Sequence, residues 1–179
     1  MILEIEKYPI GKCNISDINT EIINKAIEDI KQFPIKLQLA VKHLDDNQLN
    51  THYRKDGWTI RQVIHHCADS HINSFIRLKL TLTEENPIVK PYFEELWATS
   101  IDYIEMPISP SLKILEGIHE RWVKILENLN EVDFDKTFTH PEKGDVYSIK
   151  QHIILYAWHS NHHLKHITNL IENKNWTIN

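Results

Sequence analysis

The chain has 179 residues, 41% of them apolar and 25% charged, which suits one globular domain spanning residues 1–179 and excludes disordered and fibrous classes. Twenty Lys and Arg against 25 Asp and Glu give a net charge of -5 with no basic run, so nucleic acid is not an expected partner. No stretch approaches the roughly 20 apolar residues of a membrane span, and the chain is expected not to engage a membrane.

With only four glycines and long stretches of 3.6-residue periodicity, the chain reads as all-α, and strand signals are nearly absent. The start, Met1 to Gly11, mixes Glu4, Glu6 and Lys7 among apolar residues, unlike a secretory leader. A first helix is expected after Ser16 or Asp17, with Ile22, Ile23, Ala26, Ile27, Ile30, Leu37, Ala40, Val41 and Leu44 on its apolar face, and Pro34 should kink or divide it. Residues 50–57 read as a polar turn. Thr59 with Gln62 then forms a capping-box signature for a second helix reaching about Leu82.

Residues 83–109 carry Pro87, Pro91 and Pro107 and predict a long crossover with one short helix, of a length often used as a functional lid. Ser109 followed by Pro110 predicts the cap and first residue of a third helix through Leu112, Leu115, Ile118, Trp122, Ile125, Leu126 and Leu129. A second crossover covers residues 131–147. Ser148 and Gln151 repeat the capping box and open a fourth helix to about Asn173. The expected architecture is a four-helix bundle with long crossover connections.

Twelve histidines are about three times ordinary usage. On the fourth helix His159 and His163 stand one turn apart on the same side, able to chelate one ion. His163 shares the apolar face with Ile149, Tyr156 and Ile167, and His159 flanks it. A lone histidine there would be a hydrogen-bonded core residue, but for a pair at this spacing metal binding is the stronger reading. His162 is expected to face solvent and His166 to support the ligands from behind.

A third ligand has three sources on the second helix, His65, His66 and His71, and periodicity does not choose among them. His71 falls on the apolar side with Ile60, Val63, Ile64, Cys67, Phe75, Leu78 and Leu82 and reads as buried and paired. His66 heads a polar stripe with Ser70, Asn73 and Arg77 that reads equally as a cleft wall or a solvated face. Asp69 is expected to face solvent. Cys67 reads as a small buried thiol. It lies far from Cys13 with no Cys-x-x-Cys spacing, which suits reduced thiols and a cytoplasmic location.

The run Gly57-Trp58-Thr59 through His65-His66-Cys67-Ala68-Asp69-Ser70-His71, with Tyr156-Ala157-Trp158-His159-Ser160-Asn161-His162-His163, resembles the DinB superfamily and more narrowly its YfiT-like branch. The likeness extends to Tyr8-Pro9-Ile10-Gly11 and to Ser74 through Lys79. It implies a four-helix bundle with one mononuclear three-histidine site, which maps onto His66, His159 and His163. It also implies a metal-dependent hydrolase, with superfamily relatives that instead conjugate low-molecular-weight thiols to electrophiles, and a homodimer, for which Trp158 would offer an exposed aromatic.

Three imidazoles leave a divalent ion, zinc or nickel, with an open position for water or substrate. In a hydrolase the ion would activate water and no side-chain base is identified. In a bacillithiol-type S-transferase it would hold a thiolate, and in either Arg77 is a candidate for orienting an anionic group on a small-molecule substrate. A non-catalytic metal-binding stress protein is the third possibility. Ser160 after His159 departs from the H-E-x-x-H pattern, which disfavours a protease.

Overall fold

The computed structural model describes residues 4–142 and 144–176. Residues 1–3 of the chain start, Lys143 of the second crossover and residues 177–179 of the 1–179 reading lie outside the described residues. After the short α1 (Glu4–Lys7), α2 spans Thr20–Val41. Its cap is Asn19, whose side chain accepts the Ile22 N–H from an extended backbone. Asp17 cannot serve as the expected cap because it takes a left-handed φ of 55°. Pro34 does not divide the helix, which runs unbroken through it. Proline has no N–H, however, so the Ile30 carbonyl one turn earlier is left without its helical donor.

Asp45 and Gln48 box the start of α3 (Asp46–Leu49), a short helix in what reads as the approach to a plain turn. The box of Thr59 and Gln62 opens α4 (Ile60–Thr83) where the spacing places it. The first crossover holds two short helices, α5 (Glu94–Trp97) and α6 (Ile101–Glu105), where one is expected. In α7 (Ser109–Leu126) Ser109 is the first helical residue rather than the cap, and Ile108 precedes it without a side-chain bond.

The second crossover departs most from expectation. After α8 (Glu131–Asp135) it forms an antiparallel hairpin of β1 (Thr137–His140) and β2 (Asp145–Ser148), with Phe138 opposite Tyr147. Strands this short give no readable alternation; the hairpin is held by Phe138, 2% exposed against the bundle, and by its pairing with the first crossover, where Val89 N–H donates to Thr139 O and Thr139 N–H to Pro87 O. Ser148 and Gln151 then cap α9 (Ile149–Asn173) as the sequence predicts.

The four long helices close a ring in which α2 packs on α9 and α7, and α4 on α7 and α9. The long helices α2 and α4 therefore lie across the bundle from one another, as do α7 and α9, which the second crossover joins, whereas the first crossover joins the neighbours α4 and α7. Two apolar clusters fill the ring, one around Ile30, Trp122 and Ile153 and the other around Phe33, Leu37, Ile64, Leu115 and Ile167. Each such side chain contributes about 1.5–3 kcal/mol by leaving water, a source of stability that involves no ion. Among the described residues no helix is long and apolar enough to cross a membrane.

Candidate metal centre

Because α4 and α9 are neighbours, the polar stripe of one faces the histidine pair of the other. One nitrogen each of His66, His159 and His163 lies within 4.8 Å of the others, and His66 Nε2 is 3.1 Å from His159 Nε2. His65 turns away: its Nδ1 is 2.7 Å from Ser111 Oγ and its Nε2 3.3 Å from the Met106 carbonyl. His71 is fully buried and paired, as its apolar side predicts. Its Nε2 lies 3.2 Å from His159 Nδ1.

Burial is the main cause of the electrostatics here. It lowers the pKa of His66 to about 4, with His162 adding to the effect. It pushes His159 and His163 well below the ordinary histidine value, with neighbouring histidines second. All three rings are therefore neutral near pH 7 and present lone pairs rather than charge. His66 Nδ1 and His163 Nδ1 are buried without a hydrogen-bond partner, a costly arrangement for polar atoms. Three neutral imidazoles, with the Nε2 atoms of His66 and His159 facing one another at 3.1 Å, are a donor set that fits a divalent ion.

The cluster opens onto a cavity of about 670 Å³. Its floor includes Ser70 and Tyr156, whose hydroxyls lie 3.3 Å apart. Arg77 lines one side, with Nη2 donating to the Lys90 carbonyl at 3.0 Å, so the polar stripe of α4 is a cleft wall through His66, Ser70 and Arg77. Asn73 instead donates back to the Asp69 carbonyl. The crossovers supply part of the rim: Tyr92, Glu94 and Glu95 from the first, His140 and Glu142 from the second. The first is tied down by Arg61 on the Met106 carbonyl at 2.7 Å and Gln62 on that of Ala98 at 2.9 Å.

Several expectations need correction. His162 does not face open solvent. It is half-buried in the cavity wall, stacked on Trp158, with its Nε2 3.2 Å from His166 Nε2. Trp158 is engaged within the chain, its Nε1 donating to the Gly11 carbonyl at 3.0 Å, and does not offer a free dimer surface. Asp69 accepts a 2.7 Å hydrogen bond from the Tyr103 hydroxyl. Cys13 and Cys67 are both free thiols, and burial pushes the Cys67 thiol up, away from nucleophilic use. Sequence reasoning missed Tyr53, Arg54 and Trp58 as cavity residues. It also missed His119 of α7, whose Nε2 is 2.7 Å from His71 Nδ1; a histidine among the apolar positions of that helix is the signal that could have found it.

The DinB superfamily model matches residues 31–167. A protein of Oceanobacillus iheyensis provisionally named a metal-dependent hydrolase is 50% identical over 172 residues, 96% of this chain and 99% of that protein. One of Bacillus mycoides with the same provisional name is 49% identical over 171 residues, 95% and 98% of the two chains. The solved structure of YfiT from Bacillus subtilis, described as a probable metal-dependent hydrolase with an unusual four-helix bundle topology, shares 41% identity. It superposes with a TM-score of 0.93 over 97% of this chain and 99% of that one. With the model matching most of its length and relatives of this identity spanning nearly all of it, the chain belongs to the DinB superfamily, in its YfiT-like branch.

Proposed function

We propose that this protein is a metal-dependent hydrolase of a small molecule, with His66, His159 and His163 holding one zinc or nickel ion. The observation that carries the reading is the meeting of three neutral imidazole nitrogens within 4.8 Å at the floor of an open cavity. The names of its relatives support it. An ion bound there would act as a Lewis acid, polarising a carbonyl or phosphoryl oxygen and lowering the pKa of a water molecule.

The chain's own residues define the rest. Arg77 stands on the same wall as His66 with one nitrogen anchored on Lys90, which leaves its fork to orient an anionic group of the substrate. Arg54 lies on the rim with its Nε unpartnered. Ser160 donates to the Tyr156 carbonyl at 2.7 Å and is no base. Trp58, Tyr92 and Trp158 offer flat apolar surface to the body of the substrate. The two apolar clusters draw on the same four helices, which supports one domain over residues 1–179, and the free thiols support a cytoplasmic setting.

The test is to incubate zinc- and nickel-loaded protein with activated esters, amides and an electrophile, with and without cellular thiols, and to identify products by mass. Hydrolysis without thiol, abolished in His66→Ala, is expected. Products that strictly require thiol would assign a bacillithiol-type S-transferase instead, and bound metal with no turnover across the panel a non-catalytic metal-binding protein.

A further inference from the structure

Behind the three histidines runs a line of hydrogen bonds that ends on a backbone carbonyl. Its first member is set by Pro34, which leaves the Ile30 carbonyl of α2 without a helical donor. His119 Nδ1 on α7 lies 2.6 Å from that oxygen. His119 Nε2 lies 2.7 Å from His71 Nδ1 on α4, and His71 Nε2 lies 3.2 Å from His159 Nδ1 on α9. One buried chain therefore joins all four helices of the bundle.

We propose that His71 and His119 are positioning residues of the metal centre, holding His159 as its Nδ1–H tautomer with the Nε2 lone pair turned toward His66 and His163. The direction of the chain is forced from one end. A carbonyl oxygen only accepts, so His119 Nδ1 carries the proton and its Nε2 is bare. His71 Nδ1 must then donate to it, which leaves His71 Nε2 bare and requires His159 Nδ1 to donate in turn. Both rings are buried, His71 at 0% and His119 at 2% exposure, an environment that favours the uncharged imidazole in which each ring has one donor and one acceptor nitrogen.

The chain also assigns His66. Its Nε2 faces His159 Nε2 at 3.1 Å, and since the latter is bare, His66 carries its proton on Nε2 in the metal-free protein. Metal binding must displace that proton, so His66 is the ligand that changes form while His159, His71 and His119 do not.

This inference rests on the metal reading above for its consequence, but its first test needs no metal. Long-range proton–nitrogen NMR of the metal-free, nitrogen-15-labelled full chain should show His159, His71 and His119 as Nδ1–H and His66 as Nε2–H; zinc should shift the Nε2 signal of His159 but change which nitrogen is protonated only in His66 of these four. Competition with a chromophoric chelator at pH 7.5 should show zinc binding weakened about 10–100-fold in His119→Leu. Binding should largely recover in His119→Gln, whose amide can donate to Ile30 and accept from His71. His159 found as Nε2–H, or His119→Leu binding zinc as tightly as wild type, would overturn the proposal. If His119→Leu does not fold, the tautomer pattern decides. A wild-type chain that binds no zinc defeats the metal reading, and the NMR of that same chain still decides the tautomers.

Discussion

His152 shows what a buried neutral histidine does to this protein's response to acid. It is 2% exposed, its Nε2 lies 2.7 Å from Ser74 Oγ, and it shares a small cavity with Arg77, His140, Tyr147 and Tyr156. Burial first and the Arg77 charge second lower its pKa to about 3, against a partial rise from the Ser74 contact. Above pH 6.5 the ring is neutral whether folded or unfolded, and its contribution to stability is complete. As pH falls from 6.5 toward 3 only the unfolded chain takes up the proton, so stability is lost by at most about 1.4 kcal/mol per pH unit from this residue. Denaturant titrations at pH 7 and 5 should show a smaller loss in His152→Gln, which keeps a partner for Ser74 but cannot charge; an identical loss would deny His152 this role. At the proposed ligands, His159→Ala and His163→Ala should each abolish metal binding while preserving the helical circular dichroism, because the apolar clusters stand without an ion. Unfolding of both variants would make the ion structural. His159 and His163 are legible from spacing alone, since i, i+4 fixes a shared face. The choice of His66 over His65 is not, because adjacent residues differ by 100° and both lie at the edge of the apolar stripe. It takes Ser111 and Met106, distant in sequence, to engage His65 elsewhere.

Among the elements, the two that carry the histidines are also the best signposted. The capping boxes at Thr59 and Ser148 are both formed, with Gln62 and Gln151 reaching back to the cap N–H. Thr59→Ala and Ser148→Ala should each cost about 1 kcal/mol of unfolding free energy, read from equilibrium denaturation with the slope unchanged. A cost indistinguishable from zero in both would show the boxes to be redundant. The short elements of the crossovers are illegible for a physical reason: α5, α6, β1 and β2 have four or five residues each, too few for a period to declare itself, and they persist through contacts with other segments. The role of Pro34 is half-legible. The lost N–H is certain from the residue type, whereas its use, a carbonyl freed for His119, depends on which helix packs alongside.

At the scale of the whole molecule, the ring order α2, α9, α4, α7 sets α4 beside α9 although the two are far apart in sequence, and the two crossovers supply part of the cavity rim. The first of them leaves Ile88, Phe93, Leu96 and Ile101 65–74% exposed, and we propose these apolar side chains, rather than Trp158, as the place where two copies would pair. Light scattering should give a dimer mass, reduced to the monomer by Phe93→Glu with Ile101→Glu; a monomer for the unaltered chain would refute pairing. The central claim is that the meeting of α4 and α9 builds a three-imidazole metal centre, and metal analysis of the purified protein tests it most directly. The account predicts about one zinc or nickel ion per chain, lost on substitution of any of His66, His159 and His163. A chain that holds neither metal, even after reconstitution at neutral pH where the three rings are uncharged, would contradict it.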